Sequence, residues 1–383
     1  MASVTLHNAR SESTDAATAA EECINQLGSA PARVVFAFIP GDRDHAAYHR
    51  ALKERLPAGV RLVSSATTSG LTNAGWAPSA VVVGALGGDL EIGVGFGTGL
   101  GTDPSRLGAN CVEKAARELG MRIEDFDRTV GGVVIDDGSR MRKEELLLGV
   151  LEKNQGLVVV GGGSAKNGLG QGGVIGVDGE VFEDGAALVL FKTRARWAAF
   201  RHHAYEPTGQ RVRVTKFDAA TNRILELDGE PAAQRAAAAL GIPPEHLTMG
   251  HVTELLKVMF ALRVGREYFL RFAFKEDSSD ALISANWLQE GQDLELMRTG
   301  NMLSALGKFV DGELTARVPF PTAALFFDCG ARQVSSAVAG ISDQIGETFR
   351  RAPACVGGVV YYESYCGFMV SGTLTSLVFG SDA

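Results

Sequence analysis

The sequence predicts an α/β protein of two lobes, with mixed β-sheets, repeated strand–helix–strand units and pseudo-duplicated halves. Three observations carry that reading. Continuous apolar runs such as VVFAFIP (34–40), GGVVIDDG (131–138) and PTAALFFDC (321–329) are bounded by Gly or Pro, as strands buried on both faces are. Each is followed by a helical stretch and a second apolar run, the order that parallel pairing through a right-handed crossover requires. That order occurs three times, at a spacing too irregular for a solenoid.

The polar opening, residues 1–30, reads as a tail that ends in a short helix, Ala16 to Leu27. VVFAFIP is then the first strand. Asp42 and Asp44 can cap the helix DHAAYHRALKERL, which stops at Pro57-Ala58-Gly59. VRLVSSATTSG follows as a strand, and SAVVVGAL and LEIGVGFG as two more, joined by the Gly87-Gly88-Asp89 turn. Asp103-Pro104 opens a helix that runs to Gly120. GGVVIDDG, MRKEELLLGVLEKN and GLVVVGGGSAKNG repeat the strand, helix and strand. Asp178-Gly179 marks the turn of a hairpin. A first domain therefore covers 31–195, and RARWAAFRHHAYEPTG supplies a connector at 196–208. The second domain, 209–383, starts with a hairpin, VRVTKFDAATNRILELDG, and the helix PAAQRAAAALG. Its last part returns to the opening pattern: PTAALFFDCGAR as strand, QVSSAVAGISDQIGETFRR as helix, PACVGGVVYYESYCG as strand and turn, and GTLTSLVFG as a closing strand.

Composition narrows the function. Of 383 residues, 45% are hydrophobic and 21% charged, which suits a globular chain and excludes a disordered or fibrous one. Acidic residues outnumber basic ones by 45 to 37 and no Lys/Arg run stands out, so neither nucleic acid nor a membrane surface is expected as a partner. The five cysteines are scattered, as reduced thiols of a cytoplasmic protein are. The opening lacks the apolar core of a secretory signal, and no apolar run approaches the roughly 20 residues that cross a bilayer.

Candidate chemistry sits at the strand ends, where ligands of such sheets bind. Gly95–Gly101 lies between a strand and a helix, but its spacing fits no phosphate-binding loop and reads as a glycine turn. His45 and His49 share a helix face without the Glu of H-E-x-x-H, and read as a solvated face. No metal site is expected. Cys329 ends a strand ahead of a helix start, where a thiol beside Arg332 would be acidified. Arg332, after a strand apolar on both faces, needs an anionic partner: an internal carboxylate such as Asp328, or that of a ligand. The Ser65–Thr67 corner and the Tyr362-Glu363 corner would supply the polar contacts to a small ligand.

These strands and corners, with YEPTGQRVRVTK, LELDGEPA (225–232) and the Cys329…Arg332 pair, resemble the FIST N-terminal domain followed by its C-terminal partner. The resemblance runs from about Arg33 to Gly380. It implies a cytoplasmic sensory module that binds a small polar or anionic, amino-acid-like metabolite between its lobes and acts through a separate signalling protein. A family turn of the form Gly-Gly-x-Ala-x-Asp falls on Gly162, Gly163, Ala165 and Asn167, with Asn in place of Asp. Departures also fall at the Thr67–Leu71 corner, where the acidic residue is lost, and at Tyr362–Tyr365, where the glycine is displaced. The ligand set expected is thus Arg332, Cys329, Ser65, Thr67, Gly162, Gly163, Asn167, Tyr362 and Glu363. No cofactor is required by this reading. The alternatives are a haem-binding nitric-oxide sensor, with His203 or His251 as axial ligand, and an enzyme on the same scaffold with Cys329 and Glu363 as its reactive groups.

Overall fold

The computed structural model describes residues 2–29, 31–166 and 172–381. Twelve strands form three units of one design. In the first, β1 (Val4–Ser11), β2 (Val34–Pro40), β3 (Arg61–Thr67) and β4 (Val81–Gly88) lie in the order β1-β4-β2-β3. β2 and β3 are parallel, and β4 runs antiparallel to both β1 and β2. Helices α1 (Ala16–Leu27) and α2 (His45–Arg55) follow β1 and β2. The second unit repeats this with β5 (Glu91–Thr98), β6 (Val130–Asp137), β7 (Val159–Ser164) and β8 (Gly185–Lys192), and helices α3 (Pro104–Leu119) and α4 (Lys143–Lys153). Its order is β5-β8-β6-β7, with β6 and β7 the parallel pair. The third uses β9 (Trp197–His202), β10 (Pro321–Cys329), β11 (Ala354–Tyr365) and β12 (Leu374–Gly380), in the order β9-β12-β10-β11. The duplication expected between the Val34 and Pro321 units is therefore present in topology, and the unit between them shares it.

Residues 205–299 interrupt the third unit between β9 and β10 and build a separate sheet of their own, all antiparallel. Two lobes result: a body of three units and this inserted lobe. β11 pairs antiparallel with β7, which fuses the second and third units into one sheet. The short strand Gly70–Thr72 pairs with β11 at Val356–Gly358 and ties in the first unit.

Local chemistry accounts for the elements. β2 and β6 are buried along their whole length, as strands covered on both faces must be. Asp15, Asp44 and Asp103 cap α1, α2 and α3 by accepting N–H groups of Thr18, Ala47 and Arg106. Between the units, Phe38 of β2 meets Phe327 of β10 edge-on at 6.2 Å within one shared core. That approach needs Gly358 on β11, because a Cβ there would stand 2.4 Å from the Phe38 ring.

Three readings change. The stretch Val4–Ser11, expected as tail, is a strand: Val4, Leu6 and Ala9 are buried against β4 while Thr5 and His7 face solvent. The connector holds β9, which pairs with β12. The SAVVVGAL and LEIGVGFG strands are joined by the Gly87-Gly88-Asp89 turn as expected, and there the chain passes from the first unit to the second. The helix over 333–351 is two, α5 (Gly330–Val338) and α6 (Ser342–Phe349), parted at Gly340, whose φ of +67° ends the first.

Candidate functional site

The parallel pairs end together. β2, β6 and β10 are each followed at once by Gly-x-Arg: Gly41-Asp42-Arg43, Gly138-Ser139-Arg140 and Gly330-Ala331-Arg332. The partner strands converge beside them. Ala165 N–H donates to Ala66 O, and the Thr67 hydroxyl donates to Val359 O at 2.6 Å.

At the third of these ends lies a cavity of about 290 Å³ between body and inserted lobe. Cys329, Gly330 and Ala331 at the start of α5, with Tyr362, Ser371 and Gly372, form its floor. Met249, Val252, Leu256, Met259 and Phe272 of the inserted lobe form its roof. No charged side chain lines it among the described residues. Tyr362 holds a positive φ of 56°, and burial pushes its hydroxyl pKa up.

Cys329 stands at the N-cap of α5, and its Sγ accepts the Gly372 N–H at 3.2 Å, while the Ala331 N–H favours its charged form without closing a cap bond. The second unit repeats the arrangement with a carboxylate. Asp137 ends β6 and accepts N–H groups from Ser139 at 3.1 Å and Asp184 at 3.0 Å, and a third from Gly173. Register makes the positions equivalent: Ala186 faces Asp136 as Leu374 faces Asp328, so Asp184 and Gly372 stand alike. The thiol thus occupies the position that a carboxylate with three backbone donors holds in the second unit.

Behind it, Glu363 is wholly buried. Its Oε2 accepts the Thr373 hydroxyl at 2.6 Å and the Thr373 N–H at 3.1 Å, and its Oε1 has no partner. Burial pushes its carboxyl pKa up to about 8, and burial likewise pushes the Cys329 thiol well above its ordinary value.

The other expected residues lie elsewhere. Arg332 is not in the cavity wall: its Nε donates to Asp328 Oδ1 at 2.6 Å, and Trp76 Nε1 donates to the other carboxylate oxygen at 3.1 Å. The Ser65 and Thr67 hydroxyls are turned to backbone carbonyls. Gly162 and Gly163 are ladder positions opposite Glu363 and Tyr361. Asn167 lies outside the described residues. His203 is half-buried and His251 is exposed, and neither lines the cavity. His45 and His49 do not form a solvated face. Both are buried and both bond Ser64 Oγ, at 2.8 and 2.7 Å, because α2 lays this face on β3. Among the described residues no group of three or more His, Cys, Asp or Glu is placed to hold a metal ion. Sequence reading missed the roof, Ser371, Gly372 and Thr373. The thrice-repeated Gly-x-Arg was the available signal, since aligning it sets Cys329 over Asp137.

Fold and site together define a three-unit α/β protein with an inserted lobe that closes over an uncharged cavity. The FIST N domain model matches residues 33–230, just over half of the chain, and the protein belongs to the FIST family. The FIST domain is a family of small-ligand-binding sensory domains. No curated protein matches the chain. Among solved structures, cyanuric acid hydrolase from A. caulinodans is similar at 11% identity over 100% of both chains, with a TM-score of 0.36. Phosphoribosylformylglycinamidine synthase II from Thermotoga maritima is similar at 12% identity over 98% of this chain and 71% of that one, with a TM-score of 0.19. At those scores neither likeness bears on activity. Among the described residues no helix is long and apolar enough to cross a membrane.

Proposed function

We propose that this protein is a sensory module whose cavity between body and inserted lobe takes a small, mostly apolar molecule with a neutral polar end. The observation that carries this is the shared wall: five apolar residues of the inserted lobe face Cys329, Tyr362 and Ser371 of the third unit. A ligand there touches both lobes at once, so its occupancy biases their relative position, which a separate cytoplasmic partner protein would read. The sequence pointed to a polar or anionic, amino-acid-like ligand. The uncharged wall favours a neutral one, because a buried charge without a partner is costly. The buried Ser371 hydroxyl, which has no partner, suits the polar end.

Thermal denaturation with short-chain ketones, amides, amino acids, dicarboxylates and haem tests the reading. A ligand at about 100 times its Kd stabilises by about 2.7 kcal/mol. Neutral apolar compounds should stabilise the protein, and Val334→Trp, which fills the cavity from a half-exposed helix position, should abolish the effect. Stabilisation by dicarboxylates alone would overturn the proposed ligand.

A further inference from the structure

We propose that Cys329 captures its ligand covalently, the ligand being a small, neutral α,β-unsaturated carbonyl compound and Glu363 the acceptor of the thiol proton. This rests on the cavity being the ligand site.

Three observations meet at one atom. Cys329 lines the cavity, so a molecule in the cavity lies against it. The Gly372 N–H donates to Sγ and the Ala331 N–H favours its charged form, from the positions that Asp184 and Ser139 hold around the Asp137 carboxylate, and these amides offset part of the burial that raises the thiol. Glu363 is wholly buried beside the thiol with Oε1 unpartnered, a base with a vacant lone pair.

The ligand class follows from what the wall lacks. Acyl transfer needs a leaving group to be protonated and water to be activated, and apart from the phenols of Tyr361 and Tyr362 no further acid or base lines the cavity among the described residues. Addition to a conjugated carbonyl needs neither. The Sγ lone pair forms a bond to the β-carbon, and the C=C π pair moves to the α-carbon and the carbonyl oxygen. The thiol proton goes to Glu363 and from there to the α-carbon. Atoms and electrons balance with no oxidant or reductant. Ser371 lines the cavity, and its hydroxyl, buried and without a partner, is the donor that can turn to the carbonyl oxygen.

Groups facing the pair are few. Asp328 and Arg332 neutralise each other on the adjoining residues, Tyr205 approaches from the inserted lobe, and Tyr362 precedes Glu363. Glu363, raised to about 8 by burial, becomes a base only as pH passes that value.

The test uses the full chain carrying Cys366→Ser, which removes the one cysteine that is not buried. But-3-en-2-one is added from pH 6.5 to 9.5, and adducts are counted by intact mass and placed by peptide mapping. One adduct is expected, on Cys329, at a rate that rises as pH passes about 8. Glu363→Gln should slow it by about a hundredfold and remove that rise, the scale of a general base. An unmodified Cys329, or a Glu363→Gln rate equal to that of the parent, overturns the capture. Butan-2-one, saturated and unreactive, separates the two readings by saturation-transfer NMR. Binding to the parent and to Cys329→Ala upholds the cavity as ligand site even where capture fails. Absence of binding to either overturns the ligand reading itself.

Discussion

Arg332 holds Asp328 through its Nε at 2.6 Å, within a guanidinium only 2% exposed, while both Nη atoms lack a protein acceptor. The internal carboxylate is therefore the partner of this arginine, and the cavity lies on the other side of the strand end. Breaking such a pair from one side leaves a buried charge uncompensated, at about 3–5 kcal/mol. Arg332→Met should cost about that much in urea denaturation, and the double variant Arg332→Met, Asp328→Leu should recover part of it. A loss below about 1 kcal/mol for Arg332→Met would show that the pair does not hold the strand end.

Gly358 tests the contact between units. A Cβ at this position would lie 2.4 Å from Phe38 Cδ1, inside a core shared by β2, β10 and β11. Gly358→Ala should destabilise by about 1–3 kcal/mol through overpacking. Adding Phe38→Leu should restore part of the loss, since the smaller side chain vacates the space. Equal stability of parent and Gly358→Ala in denaturant would refute the close approach.

The paired histidines predict a pH dependence. Burial lowers the pKa of His45 to about 3, with the neighbouring His49 adding to the shift, and burial lowers His49 to about 4, both from 6.5. Between about pH 6.5 and 4 the unfolded chain therefore binds protons that the native chain does not. Stability rises with pH across that window and is lost as pH falls through it, by about 1.4 kcal/mol per unit for each histidine. His49→Gln should flatten the profile between pH 4 and 6.5 relative to the parent. An unchanged slope would mean that these rings titrate normally in the folded protein.

The site also speaks to haem. Burial lowers the pKa of His203 to about 4, and His251 sits outside the cavity with Nδ1 3.2 Å from the Thr248 hydroxyl. Neither ring lines the cavity between body and inserted lobe. Haemin titrated into the protein should give only the spectrum of free haemin. A shifted Soret band that disappears in His251→Ala would reverse this.

What was legible in the sequence follows the physics of each element. β2 and β10 declared themselves because strands covered on both faces carry unbroken apolar runs. β1 did not, since only Val4, Leu6 and Ala9 of its apolar half are buried and its polar half resembles a tail. Cys329, Tyr362 and Glu363 were singled out from their place towards the ends of strands. Met249, Val252 and Leu256 were not, because they sit in single turns whose role depends on the inserted lobe folding back over a strand end some 75 residues later. Arg332 was read correctly as needing an anion. Which anion it takes is decided by the i,i+4 geometry across the strand–helix junction, and no composition rule supplies that.

The last prediction concerns the nest in the second unit. Asp137 is 1% exposed and accepts backbone N–H groups from Ser139, Gly173 and Asp184, with the Ser139 hydroxyl as a fourth donor at 2.6 Å. Asp137→Ala leaves these donors without acceptors in the interior, at about 1–3 kcal/mol for each group left fully unsatisfied. Asp137→Asn keeps Oδ1 for the Ser139 and Gly173 donors but turns an amide N–H₂ against the Asp184 N–H, so it should lose less than Ala and more than the parent. Asp137→Cys should fall between Asn and Ala, because a sulfur, as at Cys329 with the Gly372 N–H, accepts an amide only weakly. Urea midpoints of the three variants give the order, and a cysteine variant less stable than the alanine would show that the two nests are not equivalent.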